Sequence, residues 1–82
     1  MTDQDKKRRG SILATLLFAN GYATTRTLRE DLESVHGIAI TLDRLRADLI
    51  TLEDQGLLLR RDDLSCITEA GRDTVKGLRE LP

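Results

Sequence analysis

The side chains of this sequence with the clearest chemical potential are its clustered cations. Lys6, Lys7, Arg8 and Arg9 form an unbroken basic run near the N-terminus. Such a run can contact phosphate groups or an anionic membrane surface, and it can equally be the solvated first turn of a helix. The sequence leaves these interpretations open.

Catalysis is not expected, because the residues that usually carry it are scarce. The chain has a single histidine, His36, and a single cysteine, Cys66, and neither has an evident base and orienting group. There is no glycine-rich phosphate loop, and Asp62-Asp63 suits a tight turn better than an acid–base pair. No Cys, His or carboxylate side chain lies at a metal-binding spacing from His36. We therefore predict a protein that is not an enzyme and that uses neither a metal ion nor another cofactor.

Length and charge indicate a small binding module. The chain has 82 residues, enough for one small domain, and 13 Lys and Arg against 14 Asp and Glu give a formal net charge of −1. The sequence pI is about 5.7. This balance is not typical of a domain that binds nucleic acid strongly.

Two features bear on the compartment. Cys66 cannot form an internal disulfide, and its place in an apolar run favours a buried small side chain in a reducing, cytoplasmic environment. The stretch KKRRGSILATLLFANGYA resembles a secretory signal, but Asp3 and Asp5 interrupt its basic part, and its loss would leave later helices without a packing partner. We predict that it is retained as a helix. No other stretch approaches the roughly 20 apolar residues that span a membrane, so no membrane association is expected.

The first half of the chain predicts two helices joined by a short extended segment. Residues 5–20 form the first helix, which Asn20-Gly21 ends, and residues 22–24 suit a very short strand. Residues 25–36 form the second helix, which Thr24 or Thr25 caps and Gly37 ends. The inner faces of the two helices are two apolar stripes: Ile12, Leu13, Leu16 and Leu17, then Leu28, Leu32 and Val35.

The third predicted helix spans residues 41–55, between an N-cap at Thr41 and a stop at Gly56. Its apolar stripe is Leu42, Leu45, Leu49 and Leu52. Only residues 38–40 lie between Gly37, which ends the second helix, and Thr41, and so short a turn is the geometry of a helix-turn-helix. Ile38 and Ile40 would fill the corner between the two helices.

The rest of the chain predicts a hairpin and a last helix. Residues 57–68 form two strands around a turn at Asp62-Asp63, and residues 69–80 form a helix that Thr68 caps. Gly71 allows this helix a close approach to its neighbours. The prediction is therefore one domain over residues 1–82, mainly α with a small β-hairpin: a winged helix-turn-helix with a three-helix core, a wing and a C-terminal helix. The predicted core is Leu16, Leu32, Leu45, Leu49, Leu52 and Val75.

The sequence also resembles a known family. LITLEDQGLLLR followed by ITEAGR resembles the third helix, wing and closing helix of ArsR- and MarR-like bacterial regulators. Leu45, Leu49, Leu52, Gly56 and Leu57 fall where those proteins carry core residues and a helix-ending glycine. The wider pattern RRGSILATLL, LDRLRADLITLEDQGLL and ITEAGR is similar to small stand-alone winged-helix proteins of Mu-like phages and prophages.

The resemblance implies a transcriptional regulator whose partner is double-stranded DNA. In such regulators the third helix enters the major groove and the wing reaches the backbone or a neighbouring groove. Carried over by position, the third helix would contribute Thr41, Arg44, Arg46 and Ala47. The wing would contribute Arg60 and Arg61, and the N-terminal run would add Lys6, Lys7, Arg8 and Arg9.

Two departures from the family pattern temper this expectation. The third helix begins about one turn earlier relative to Gly56 than is usual, which leaves its groove-facing residues uncertain by a turn. Acids also outnumber arginines on the second and third helices, where they would repel phosphates. The acids are Glu30, Asp31, Glu33, Asp43, Asp48, Glu53 and Asp54, against Arg26, Arg29, Arg44 and Arg46.

The charge balance keeps a second interpretation open, in which the winged helix binds a protein partner and little or no DNA. Ile50 and the strand Leu57-Leu58-Leu59 would then supply apolar contact area. A homodimer is also predicted, because a two-fold pair would read two DNA half-sites. Its interface would lie on the first and last helices, where Phe18, Leu78 and Leu81 add more apolar surface than one small core requires.

Overall fold

Four helices and three short strands follow one another along residues 3–82, the part of the chain that this computed structural model describes. None of these helices is long and apolar enough to cross a membrane. The elements, in chain order, are α1 (Asp3–Phe18), β1 (Tyr22–Thr24), α2 (Thr25–His36), α3 (Leu42–Asp54), β2 (Leu58–Arg61), β3 (Leu64–Ile67) and α4 (Glu69–Val75).

Threonine caps begin three of the helices, as predicted. Thr24, Thr41 and Thr68 each accept a hydrogen bond from a backbone N–H three residues later, at 3.1–3.2 Å. Each cap satisfies one of the N–H groups that the first helical turn leaves unpaired. Gly37, in the left-handed conformation at φ 67°, ends α2 and lets the chain turn into α3 within a few residues.

The last helix is shorter than predicted. It ends at Val75 rather than near residue 80, because Gly77 takes a left-handed φ of 79° and the N–H of Leu78 bonds back to the carbonyl of Asp73 at 2.8 Å. This is a C-terminal helix stop that glycine makes accessible. The predicted first helix is also shifted, since α1 already begins at Asp3 and ends at Phe18.

The three strands form one antiparallel sheet in the order β1-β3-β2. The predicted hairpin is β2 and β3, and its turn is at Asp62 and Asp63. β1 pairs with the other edge of β3. Alternation along β3 turns Ser65 and Ile67 inward and Cys66 outward. Cys66 is therefore half-buried on the outer face of the sheet, and the prediction of a buried thiol was wrong.

The core lies between the three long helices and the inner face of the sheet. Leu16, Leu32, Leu45, Leu49 and Leu52 are completely buried in it, as predicted. Val75 is only partly buried at its edge. Val35, predicted on the inner stripe of α2, is instead exposed beside Phe18 in an open groove between α1 and α2, because no described element covers that end of the groove.

Gly71 lets α4 lie directly on the backbone that leads into β2. A Cβ atom at this position would overlap the carbonyl oxygen of Leu57 and crowd the side chain of Ile67. That carbonyl also accepts a hydrogen bond from the N–H of Thr68 at 3.1 Å, just before α4. The predicted close approach at Gly71 is therefore confirmed.

The first testable prediction concerns this core. Replacing Leu49 with alanine should lower the free energy of unfolding by about 2–5 kcal/mol, because Leu49 is fully buried and its truncation leaves a cavity in the core. The neighbouring Ile50→Ala is the matched control, since Ile50 is exposed and its loss should cost about 1 kcal/mol or less. Denaturant melts measure both, and equal losses would contradict the central place of Leu49.

Candidate nucleic-acid interface

α3 presents one polar face to solvent and buries the other. Leu45, Leu49 and Leu52 pack into the core, and helical spacing turns the intervening residues outward. The predicted groove-facing residues Thr41, Arg44, Arg46 and Ala47 are all exposed. Asp43, Ile50 and Asp54 share the exposed side of the helix with them.

The arginines of this face are available to a ligand. Arg46 lies 3.7 Å from Asp43 one turn earlier, a contact between two exposed side chains that contributes about 0–1 kcal/mol and is easily exchanged. Arg44 forms no ion pair with any residue from 3 to 82. The N-terminal half of the face therefore carries the cations, and its C-terminal end carries Glu53 and Asp54.

The two wing arginines do not form one contact surface. They are neighbours in β2, so their side chains lie on opposite faces of the sheet. Arg60 is half-buried, and its backbone N–H donates to the Glu53 carboxylate of α3 at 3.1 Å. Arg61 is exposed on the outer face. Arg60 and Arg61 both lie in the predicted wing, where Arg61 is the more exposed of the two, and their contact with the DNA backbone stays a prediction.

The tip of the hairpin is attached to the start of α2. The backbone carbonyl of Asp63 accepts a hydrogen bond from the N–H of Thr25 at 3.0 Å and a longer one from its hydroxyl at 3.4 Å. Asp62, at φ 55°, makes the sharp turn, and both carboxylates are exposed. The wing is thus short and fixed, with two negative charges at its tip.

Asp48, predicted to be one of the acids that repel phosphate, does not lie on the exposed face of α3. Its side chain is 0% exposed. The Nε and Nη2 atoms of Arg8 donate to its two carboxylate oxygens at 2.5 and 2.9 Å, and the Nε of Arg9 donates to one of them at 3.1 Å. Arg8 also pairs with Asp5 at 2.9 Å.

The same contacts correct the predicted role of Arg8 and Arg9. Their side chains are only 15% and 13% exposed, so the basic run is neither a solvated turn nor a single phosphate-binding patch. The hydrogen bond with Asp48 raises the pKa of Arg8 above its ordinary value, against the lowering effect of burial. The guanidinium of Arg8 is thus a positively charged partner for the Asp48 carboxylate of α3.

A signal for the buried acid was present in the sequence. Asp48 lies three residues after Leu45 and four before Leu52, so it lies on the apolar stripe and not opposite it. A carboxylate on such a stripe requires cations from another element, and the adjacent arginines of α1 meet that requirement.

Lys7, Thr41 and Arg44, which are far apart in the sequence, meet at one place. They line a cavity of about 690 Å³ between the N-terminal half of α1 and the connection from α2 to α3. Lys6, next to Lys7, is exposed and does not line this cavity.

The apolar strand predicted as a protein-binding surface is mostly internal. Leu57 and Leu58 are buried, whereas Leu59 is exposed on the outer face of the sheet beside Cys66, its partner in the β2–β3 register. Ile50 on α3 is also exposed. Residues 3–82 contain no group of three His, Cys, Asp or Glu side chains placed to hold a metal ion.

Comparison with known proteins identifies the fold. The chain matches no protein-family model and no curated protein. F93 from STIV, a winged-helix DNA-binding protein, superposes with a TM-score of 0.72 at 22% identity, over 84% of this chain and 79% of that chain. The complex structure of hsRosR-S4 superposes with a TM-score of 0.75 at 21% identity, over 94% of this chain and 66% of that chain. The chain therefore has the winged-helix fold, and the predicted fold class is confirmed.

The second testable prediction concerns Asp48. Asp48→Ala should lower the free energy of unfolding by about 3–5 kcal/mol, because it leaves two arginines largely buried without their anion. Asp54→Ala is the matched control on the same helix, and since Asp54 is exposed its loss should change stability by about 0.5 kcal/mol at most. Thermal or denaturant unfolding gives both values. A similar small effect at both positions would show that the buried ion pair does not hold α1 to α3.

Proposed function

We propose that this chain is a DNA-binding transcriptional regulator without enzymatic activity, and that α3 enters the major groove of double-stranded DNA. The observation that carries the proposal is the exposed N-terminal half of α3, where Arg44, Arg46 and Ala47 stand clear of the core. The winged-helix fold, shared with F93, supports this use of α3, because that protein is described as DNA-binding.

The side chains of α3 suit two kinds of DNA contact, one to base edges and one to phosphates. Arg46 can donate two hydrogen bonds to the O6 and N7 atoms of guanine, and Ala47 beside it allows close approach to a thymine methyl group. Thr41 and Arg44 lie at the start of the helix, where a phosphate is favoured by the helix dipole. The acids Glu53 and Asp54 favour a docking in which the C-terminal end of α3 tilts away from the DNA.

Burial of Asp48 supports this proposal by changing the charge that DNA would meet. Asp48 is neutralised inside the protein by Arg8 and Arg9, so it contributes no exposed carboxylate to the binding face. Because Arg8 and Arg9 pair with Asp48, these two arginines are not available to bind DNA phosphates. Backbone contacts are therefore assigned to Lys6 and Lys7 on α1 and to Arg61 on the wing, with Arg60 in a supporting position beside α3.

The finer assignment rests on the sequence resemblance. LITLEDQGLLLR and ITEAGR support a regulator of the ArsR/MarR-like kind, and the wider pattern supports a small stand-alone protein of phage or prophage origin. Such a regulator would act in the cytoplasm on promoter DNA.

The third testable prediction separates base contacts from backbone contacts. In fluorescence titrations with genomic fragments, the parent should bind at low salt and lose affinity steeply as salt rises. Arg46→Gln should weaken binding and relax sequence preference. Arg61→Gln should weaken all sequences alike and reduce the slope of log affinity against log salt by about 0.9 for a lost phosphate contact.

Lys76→Gln is the control for charge alone, because Lys76 is an exposed cation that immediately follows α4 and belongs neither to α3 nor to the wing. It should leave sequence preference and the salt slope almost unchanged. If the parent binds no fragment at low salt, the DNA proposal is wrong. The exposed Ile50 and Leu59 would then make binding of a protein partner the better account.

A homodimer is part of this proposal and gives the fourth testable prediction. Phe18 at the end of α1 is 80% exposed, and Leu78, just beyond α4, is 75% exposed. These apolar side chains support an interface formed by α1 and the C-terminal segment, which leaves α3 and the wing free. Sedimentation at micromolar concentration should give twice the chain mass of 9.2 kDa.

Phe18→Ser should shift the dimer toward the monomer, because it removes the largest exposed apolar side chain of that interface. Ile50→Ser, on the DNA-facing side, should leave the mass unchanged. A parent that sediments as a monomer with and without DNA would exclude the dimer.

A further inference from the structure

The cavity beside α1 has a lining that is polar and cationic. Its walls are one face of the N-terminal half of α1 and the whole connection from His36 to Thr41, with Arg44 closing one side. The polar side chains that line it include Lys7, Arg8, Ser11, His36, Thr41 and Arg44, and no aspartate or glutamate is among the lining residues. Acids outnumber bases in the chain as a whole, but the charged side chains that line this cavity are all basic.

The positive charge of the cavity comes from two side chains. Arg8 is already compensated, because its guanidinium is bonded to Asp48 and Asp5. Lys7 and Arg44 form no ion pair with any residue in the described part of the chain, and the nearby Asp43 pairs with Arg46 instead. An anion in the cavity would thus meet two cations that no described acid compensates, one from α1 and one from α3.

The start of α3 adds to this preference for an anion, whereas Ser11 does not. α3 begins at the edge of the cavity, where the positive end of its dipole lies. The Ser11 hydroxyl donates to the carbonyl of Lys7 at 3.0 Å, which leaves the lone pairs of its oxygen rather than its proton free. The charged donors to a ligand are the ammonium group of Lys7 and the guanidinium group of Arg44.

We propose that this cavity binds a phosphate group, held between Lys7 of α1 and Arg44 of α3. With a volume of about 690 Å³, it has room for a phosphate group that is part of a larger ester. Two sources share this chemistry. One is the DNA backbone, which would deepen the proposed function by adding a phosphate clamp at the N-terminal edge of the recognition face. The other is a free phosphorylated small molecule.

The first part of the test asks whether the site exists, and it does not depend on DNA. Inorganic phosphate is titrated against chloride at equal ionic strength while backbone amide signals are followed by ¹H–¹⁵N NMR. Phosphate should shift the amides of Lys7, Ser11 and residues 37–44 in a saturable way. The double variant Lys7→Gln/Arg44→Gln should lose the saturable shifts while its remaining spectrum still reports the native fold.

Lys6→Gln is the matched control for that titration. It removes the adjacent lysine, which is exposed and lies outside the cavity, so the phosphate shifts should persist. The absence of phosphate-specific shifts in the parent, or their persistence in the double variant, would overturn the site.

The second part identifies the source of the phosphate. If a DNA phosphate occupies the cavity, Lys7→Gln should reduce the salt slope of DNA binding by about 0.9, and Lys76→Gln should not. If the slope is unchanged while phosphate shifts remain, the occupant is a free phosphorylated ligand. If phosphate shifts the amide signals but the chain binds no DNA, the phosphate site is supported and the proposed function is wrong. If the chain binds DNA but phosphate causes no shifts, the proposed function is supported and the phosphate site is wrong.

Discussion

The arrangement of this winged helix depends on one buried carboxylate. Asp48 lies on the inner side of α3 and has no contact with water. An unpaired charge in that position would be strongly destabilising, so the fold requires cations to reach it from another element. Arg8 and Arg9 of α1 do so with three hydrogen bonds. These contacts join the start of the chain to the middle of α3 and thereby fix how α3 presents its outer face.

This constraint also determines which charges remain for a ligand. The basic run at residues 6–9 is divided, with two arginines directed to the interior and two lysines left at the surface. Because α1 is held against α3, Lys7 comes to the same cavity as Arg44. One exposed cation of α1 and one of α3 therefore lie at the same cavity, although they are far apart in the sequence.

Much of the fold follows from local sequence, and the errors arise where tertiary contacts decide. Thr24, Thr41 and Thr68 cap helices because a threonine side chain can pair with the next turn, which is readable from the sequence. The exposure of Val35 depends on what lies opposite it, which periodicity does not report. The early end of α4 is different, because it is a local stop at Gly77 that the apolar spacing alone does not show. At the candidate site, the exposed positions of α3 were predictable from its leucine stripe. The pairing of Asp48 with residues about forty positions away was not, although its place on that stripe marked it as unusual.

The account rests on Arg8 and Arg9 being internal partners of Asp48, while Arg44 and Arg46 face the ligand. Side-chain Nε–H signals of the four arginines, followed by NMR hydrogen exchange with and without DNA, test this directly. Arg8 and Arg9 should exchange slowly and keep their signals when DNA is added, and Arg44 and Arg46 should exchange fast and shift. Exchange of Arg8 and Arg9 as fast as that of Arg44 and Arg46, or DNA-induced shifts at all four, would contradict the account.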